Sequence, residues 1–251
     1  MGAGTHVTHR TCASLAAVKA PMRWLVTGGV VGVLGGLALF LWPGPLATAA
    51  GAATPLPRLF RAPSYELVDQ LDRPVASSDL KGRVRVVVTM DPYCTTLCPL
   101  TASKVRNLEA LLKRQGLSGS VQFVAFSIDK LAGPAQLRDF LDQEGLDPNV
   151  SWLDYLTGPA DKVRSVVRDG YHTSYYSVSN AEAEKLAPST FQARMSNRLA
   201  EKAKAPFAIM HQSPLFVVDR HGWVRAAFGD ASTVPSDVVV SDVARLVRSG
   251  A

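Results

Sequence analysis

"RVRVVVTMDPYCTTLCPLTASKVRNLEALLKRQG", residues 83–116, contains both halves of a structural decision. Arg83 to Met90 is a β-branched run of strand length that ends at Asp91-Pro92. From Pro99 onward, Leu100, Val105, Leu108, Leu111 and Leu112 recur at helical spacing. The run stops at Gly116, with Lys113 and Arg114 in the last turn. A strand that hands directly over to a helix opens a βαβ unit, and Cys94 and Cys98 lie at the handover. In open α/β sheets ligands gather beyond the carboxyl ends of the strands, so the position itself favours chemistry. Pro99 has no N–H to donate and suits the first helical position, which puts Cys98 at or near the N-cap. The partial positive charge of a helix start stabilises a thiolate. If the loop turns helically, residues i and i+4 project on one side and the two sulfurs converge on one atom.

The rest of the pattern extends this unit. SYELVDQ (64–70) alternates and meets the turn signal Asp72-Arg73-Pro74, predicting an N-terminal β-hairpin. VQFVAFSI (121–128) is an apolar run of strand length, and PAQLRDFLDQEG (134–145) is a helix opened by Pro134 and closed by Gly145. A short strand near Trp152 to Tyr155 and a helix from about Pro159 to Arg168 follow. SPLFVVD (213–219) and WVRAAFG (223–229), joined by Arg220-His221-Gly222, predict a hairpin, and DVVVSDVARLVRSG (237–250) predicts a closing amphipathic helix. Strands alternating with helices argue for a sheet covered on both faces. The predicted fold class is therefore α/β: a thioredoxin-like domain over 64–251 with an extra N-terminal β-hairpin. An insertion at about 178–205, dense in Ala, Glu, Lys and Arg, reads as a solvated helical excursion, with a functional lid as the competing reading.

The first sixty residues do not read as core. WLVTGGVVGVLGGLALFLW (24–42) carries no charge and is about as long as a bilayer's hydrocarbon is thick at roughly 1.5 Å per residue. It predicts one transmembrane helix with tryptophan at both interfaces. Arg10, Lys19 and Arg23 precede it, so residues 1–23 are expected to form a cytoplasmic leader and the globular part to be exported. Small residues such as Ala47-Thr48-Ala49 offer a cleavage site, but the apolar run exceeds the usual signal-peptide length, and an uncleaved anchor is expected. Residues 43–63, rich in Pro, Ala and Gly, read as a flexible tether. The net charge of +6 owes nearly everything to five cations ahead of the first acid, Glu66, namely Arg10, Lys19, Arg23, Arg58 and Arg61. Without them the chain is within one charge of neutral, which argues against a nucleic-acid partner.

Two thiols at this spacing allow a structural bridge, a redox couple or a metal clip. A permanent bridge would close a very small loop, the least rewarding kind to cross-link. A reversible disulfide fits an oxidising compartment. Two thiolates alone hold a soft ion such as Cu(I), and an added nitrogen ligand would admit Cu(II) or Zn(II). Of the five histidines, His6 and His9 lie with Cys12 in the leader, His221 falls in a hairpin turn facing solvent, and His172 lies in a Tyr-rich strand. His211 precedes SPLFVVD, in a loop expected to pass the first strand-to-helix turn of this layout. It is the histidine expected to face the cysteines. Asp129, at a strand end, reads either as a turn former or as a group tuning the site.

DPYCTTLCP, SID (127–129), YHTSYYS (171–177) and HQSPLFVVDRHG (211–222) together resemble the Sco/SenC family of copper-binding, thioredoxin-like assembly proteins, from about Ser64 to the C-terminus. The family's C-x-x-x-C-P with a distant histidine before a strand is matched by Cys94, Cys98, Pro99 and His211. Thr95 stands where the family commonly has proline, and the long insertion after Ser177 lengthens the path from Cys98 to His211. The resemblance implies a membrane-anchored chaperone binding copper, as Cu(I) or Cu(II), through Cys94, Cys98 and His211. Its implied partner is the copper-centre subunit of a respiratory cytochrome oxidase or another copper carrier, on the extracytoplasmic side of a cell's inner membrane. The alternative is a thiol-disulfide oxidoreductase in which Cys94 and Cys98 form the redox pair and reduce partner cysteines before metallation. A peroxidase, echoed by Thr95-Thr96-Leu97-Cys98, and a binding module with permanently bridged thiols are more distant readings.

Overall fold

The computed structural model of the chain describes residues 54–189 and 206–251. The leader, the expected span at 24–42, most of the tether and the later part of the insertion lie outside them. Among the described residues no helix is long and apolar enough to cross a membrane.

β4 (Val84–Met90) and β5 (Val121–Ser127) are buried at every position. Each is an unbroken apolar run because both of its faces are covered. They pair in parallel from Val84↔Val121 to Met90↔Ser127, and β6 (Leu153–Leu156) adds in parallel to β5. On the other side of β4, β9 (Leu215–Val218) runs antiparallel, followed by β10 (Trp223–Phe228) and the two-residue β1 (Phe60–Arg61). The sheet order β1-β10-β9-β4-β5-β6 is the thioredoxin-like layout that the element order predicts. The expected N-terminal hairpin is present as β2 (Glu66–Val68) paired with β3 (Pro74–Ala76).

One face of the sheet is covered by α1 (Leu97–Arg114), α2 (Pro134–Gln143) and α5 (Ser236–Ser249). Val84, Val86, Val88 and Met90 pack there with Val105, Leu108, Leu112, Leu137, Phe140 and Val243. Val87, Val124, Phe126 and Phe216 point to the opposite face, where the hairpin supplies Tyr65 and Leu67 and the helical segment after β6 supplies Val163, Val166 and Val167. That segment is α3 (Ala160–Arg164), which widens into a π-helical turn over Ser165–Gly170.

Two boundaries differ from the sequence expectation. The compact unit starts at Pro55 and not at Ser64. The end of the expected tether is docked: Leu59 N–H donates to Val224 O and Ala62 N–H to Gly222 O, both at 2.9 Å. Arg225 donates to the carbonyls of Leu56 and Pro57 while its guanidinium pairs with Asp219 at 2.8 Å. A segment without periodicity is held here because a buried arginine takes up the carbonyls of Leu56 and Pro57. The second difference is at His211. It ends a strand, β8 (Phe207–His211), instead of lying in a loop. β8 pairs antiparallel with β7 (Tyr175–Ser179), from Tyr175↔His211 to Ser179↔Phe207. His211 therefore stands at the base of a two-stranded ribbon whose other end, Ser179↔Phe207, joins the insertion.

Candidate metal centre

β4 carries the chain to the end of the sheet, and a tight turn then fixes the first thiol. The Asp91 carboxylate accepts the Tyr93 N–H at 2.8 Å, and the Asp91 carbonyl accepts the Cys94 N–H at 3.0 Å. Tyr93 is buried, and its hydroxyl donates to Leu131 O at 3.4 Å. Cys94 is left half-buried at the surface. Helix α1 begins at Leu97, so Cys98 is its second residue and Pro99 follows within the first turn, where a missing N–H costs nothing. Cys98 is fully buried, and the Asp91 N–H points at its sulfur from 3.2 Å.

His211 arrives from the ribbon. Its Nε2 stands 3.6 Å from the Cys98 Sγ. Nδ1 lies 3.0 Å from the Gln212 carbonyl and 3.3 Å from the Ser213 hydroxyl. An Nδ1–H donated to that carbonyl leaves the Nε2 lone pair facing the sulfurs. Gln212 O also accepts the Thr89 hydroxyl at 3.3 Å, which ties the histidine's support to β4 itself. The Gln212 N–H donates to Ser174 O at 3.1 Å, closing the ribbon's base.

The three ligand atoms of Cys94, Cys98 and His211 lie within 4.8 Å of one another, and both cysteines are free thiols. Donors about 2.0–2.3 Å from one ion stand roughly 4 Å apart in a trigonal arrangement, so the spacing fits a single metal. The set of two sulfurs and one nitrogen suits soft or borderline ions. The thiols are electrostatically unequal. A hydrogen bond from the Cys98 thiol lowers the Cys94 pKa against the opposing effect of burial, and the His211 ring lowers it further, to about 3. Burial pushes the Cys98 thiol up, and the hydrogen bond to Cys94 and the charge of its thiolate push in the same direction. For His211 burial works against the charged ring, but the Cys94 thiolate outweighs it and holds the imidazole above its ordinary value. The metal-free site thus sets an acidified thiol beside an imidazole drawn toward its charged form, over a buried and less acidic thiol.

Beside it opens a cavity of about 340 Å³, lined mainly by Leu97, Ala183, Ala187, Ala208, Ile209 and Met210. Ala183 belongs to α4 (Asn180–Leu186), the first helix of the insertion, and packs on Val178 and Ala208 of the ribbon. This part of the insertion is a largely solvent-exposed helix, as the sequence predicts, with Ala183 and Ala187 turned to wall the cavity next to the candidate ligands.

The other candidates fall elsewhere. His172 is exposed at a φ of 55° with its ring against Phe60, and His221 is exposed in its turn. Asp129 is buried and forms a turn, its carboxylate accepting the Leu131 N–H at 2.8 Å. His6, His9 and Cys12 lie outside the described residues. Thr89, Asp91 and Gln212, which orient the ligands, escape a reading of the sequence. Only Asp91, directly before Pro92 at a strand end, carried a local signal, that of a turn.

A family model described as SCO1/SenC matches residues 56–195, a span that includes both cysteines and stops short of His211. A SCO1 protein homolog of Bacillus subtilis (strain 168) is 25% identical over 215 residues, covering 85% of this chain and 95% of that protein. Among solved structures, BsSco, a member of the Sco family of cytochrome c oxidase assembly proteins in which a disulfide switch was identified, superposes with a TM-score of 0.56 at 20% identity. The alignment covers 75% of this chain and 94% of that one. Yeast Sco1 with copper bound gives a TM-score of 0.57 at 16% identity, over 76% of this chain and 90% of that one. These structural likenesses establish the fold. The match over more than half of the chain, with Cys94 and Cys98 inside it, establishes the kinship: this protein belongs to the SCO1/SenC family.

Proposed function

We propose that this protein is a membrane-anchored copper chaperone that holds copper between Cys94, Cys98 and His211 and passes it to the copper centre of a cytochrome oxidase or to another carrier. The observation that carries this reading is the convergence of two sulfurs and one imidazole nitrogen within 4.8 Å at the end of β4. Copper bound to yeast Sco1 and the assembly role of the family of BsSco support the choice of cargo and acceptor. The uncharged run at 24–42, with Arg10, Lys19 and Arg23 and no acidic residue before it, supports an inner-membrane anchor and an extracytoplasmic domain.

Transfer follows from coordination chemistry. Three protein donors leave an entry position on copper, and the half-buried Cys94 side faces the cavity, so an incoming donor from a partner can bind before the resident ligands leave. Loss of two electrons from the two thiolates, taken up by a disulfide partner, forms a Cys94–Cys98 disulfide and removes two ligands, releasing the ion. Titration of the purified full chain in detergent with Cu(I) and Cu(II) tests the reading. One tight equivalent is expected, reduced by far more than the roughly 10–100-fold typical of losing a supporting hydrogen bond when both cysteines become serine. Unchanged tight binding in Cys94→Ser/Cys98→Ser would refute it.

A second reading has its own support. The half-buried, low-pKa Cys94 and the fully buried, high-pKa Cys98 form the unequal pair that a thiol-disulfide oxidoreductase uses, with Cys94 as the attacking thiolate and Cys98 as the resolving thiol. His211→Ala separates the two functions. A chaperone loses Cu(II) affinity on this change, whereas a reductase keeps its turnover of a partner disulfide.

A further inference from the structure

At the other end of β4 from the metal centre lies a second, chemically opposite cavity. It has a volume of about 320 Å³ and is lined by Arg61, Lys81, Arg85 and His221, with the hydroxyls of Ser64 and Ser77. Among the described residues no carboxylate lines it. Asp79, close in sequence, is occupied in accepting the Ala76 N–H at 2.9 Å.

Arg85 is the decisive residue. It is the second residue of β4, points to the hairpin side of the sheet, and is only 5% exposed. Its Nη2 reaches a single backbone acceptor, Asp219 O, at a long 3.4 Å, and its Nε has no hydrogen-bond partner among the described residues. The Asp219 carboxylate is not available to it. One oxygen is paired with Arg225 at 2.8 Å, and the other accepts the N–H groups of His221 and Trp223 at 2.9 Å each. The hydroxyl of Tyr65, which feels the Arg85 charge, is likewise buried without a hydrogen-bond partner among the described residues. A buried guanidinium without a counter-charge is costly, and here it faces a cavity rimmed by further cations.

We propose that this cavity is a binding site for a phosphate group, with Arg85 at its floor and Arg61 and Lys81 at its rim. An arginine's fork matches phosphate oxygens bidentately, and a lysine adds a point charge. Ser64 and Ser77 supply hydroxyl donors for the remaining oxygens. The same two serines line an adjoining cavity of about 460 Å³ beneath the hairpin, which has room for whatever the phosphate is attached to. The phosphate group has two sources, free anion and the headgroup of an anionic lipid. Arg61 and Ser64 follow the uncharged run at 24–42 by about twenty residues, a length of chain that can span to a headgroup layer, which makes a headgroup a chemically apt ligand. The site is independent of the copper reading, since no metal ligand lines it.

The test uses the full chain in maltoside micelles and follows thermal unfolding. One arm compares sodium phosphate with sodium chloride at equal ionic strength. The other compares micelles doped with dioleoyl-phosphatidylglycerol with undoped micelles. Phosphate at ten times its dissociation constant is expected to raise Tm by about 3–5 °C over chloride, and to do so saturably. Arg61→Ala/Lys81→Ala alters only rim side chains and abolishes the shift; Arg85→Met abolishes it as well. Stabilisation by phosphate alone assigns the site to free anion, and by the lipid alone to a headgroup. No shift with either, or a shift that Arg61→Ala/Lys81→Ala retains in full, overturns the proposal. Copper titration of the same rim variant is expected to match the unaltered chain, so failure of the copper reading would register separately.

Discussion

The two ends of β4 solve opposite electrostatic problems. Beyond Met90, two sulfurs and an imidazole are held so close that they share protons, and the result is a depressed thiol at Cys94 beside a raised one at Cys98. Around the start of β4, buried cations are handled in two ways two strands apart. Arg225 has a carboxylate partner in Asp219, whereas Arg85 has only a distant carbonyl. The seven-residue strand separates the two ends by about 20 Å, beyond the roughly 7–10 Å over which substitutions usually couple. Each end can therefore be altered without disturbing the other.

That separation can be tested first at the cationic end. Arg225→Met leaves Asp219 buried without its partner and releases the carbonyls of Leu56 and Pro57, so a loss of about 3–5 kcal/mol in stability is expected by urea denaturation. Arg85→Met removes a buried charge that lacks a carboxylate partner, and should cost less than about 1 kcal/mol in the absence of anions. Equal losses in the two variants would erase the distinction drawn between the arginines.

At the metal end, a smaller effect is expected from Thr89→Val. It deletes the hydroxyl that holds Gln212 O, the acceptor that orients His211, and should weaken copper binding by about 10–100-fold while leaving the thermal midpoint nearly unchanged. The mildest probe is pH. An ordinary thiol loses its reactivity about tenfold for each unit below pH 8.5. A Cys94 pKa lowered to about 3 keeps the thiolate populated well below neutrality, so alkylation of the metal-free protein by iodoacetamide should stay nearly flat from pH 8 to pH 5. His211→Ala removes one of the lowering influences and should bring back part of the ordinary slope.

Much of the fold could be read from local pattern because the central strands are apolar at every position and α1 repeats its core residues at Val105, Leu108 and Leu112. The convergence of Cys94, Cys98 and His211 was readable too, through residue type, spacing and the order of elements. What escaped depends on contacts between distant segments. Phe60 and Arg61 become a strand only because β10 and Arg225 receive them. FAIMH becomes a strand only because Tyr175–Ser179, nearly thirty residues earlier, supplies its partner. Thr89 and Gln212 have no distinguishing neighbours in sequence, Asp91 signals only a turn, and the roles of all three exist only as hydrogen bonds in the folded chain.

The ribbon that carries His211 has an evolutionary corollary. Five register pairs, from Tyr175↔His211 outward, fix the imidazole at the ribbon's root, while the chain between Ser179 and Phe207 departs from its other end. Closing a longer excursion costs free energy only logarithmically in its length. An insertion or deletion within 190–205 is thus expected to leave the nitrogen where it sits, so that stretch can diverge from one lineage to the next while Ala183 and Ala187 keep walling the cavity.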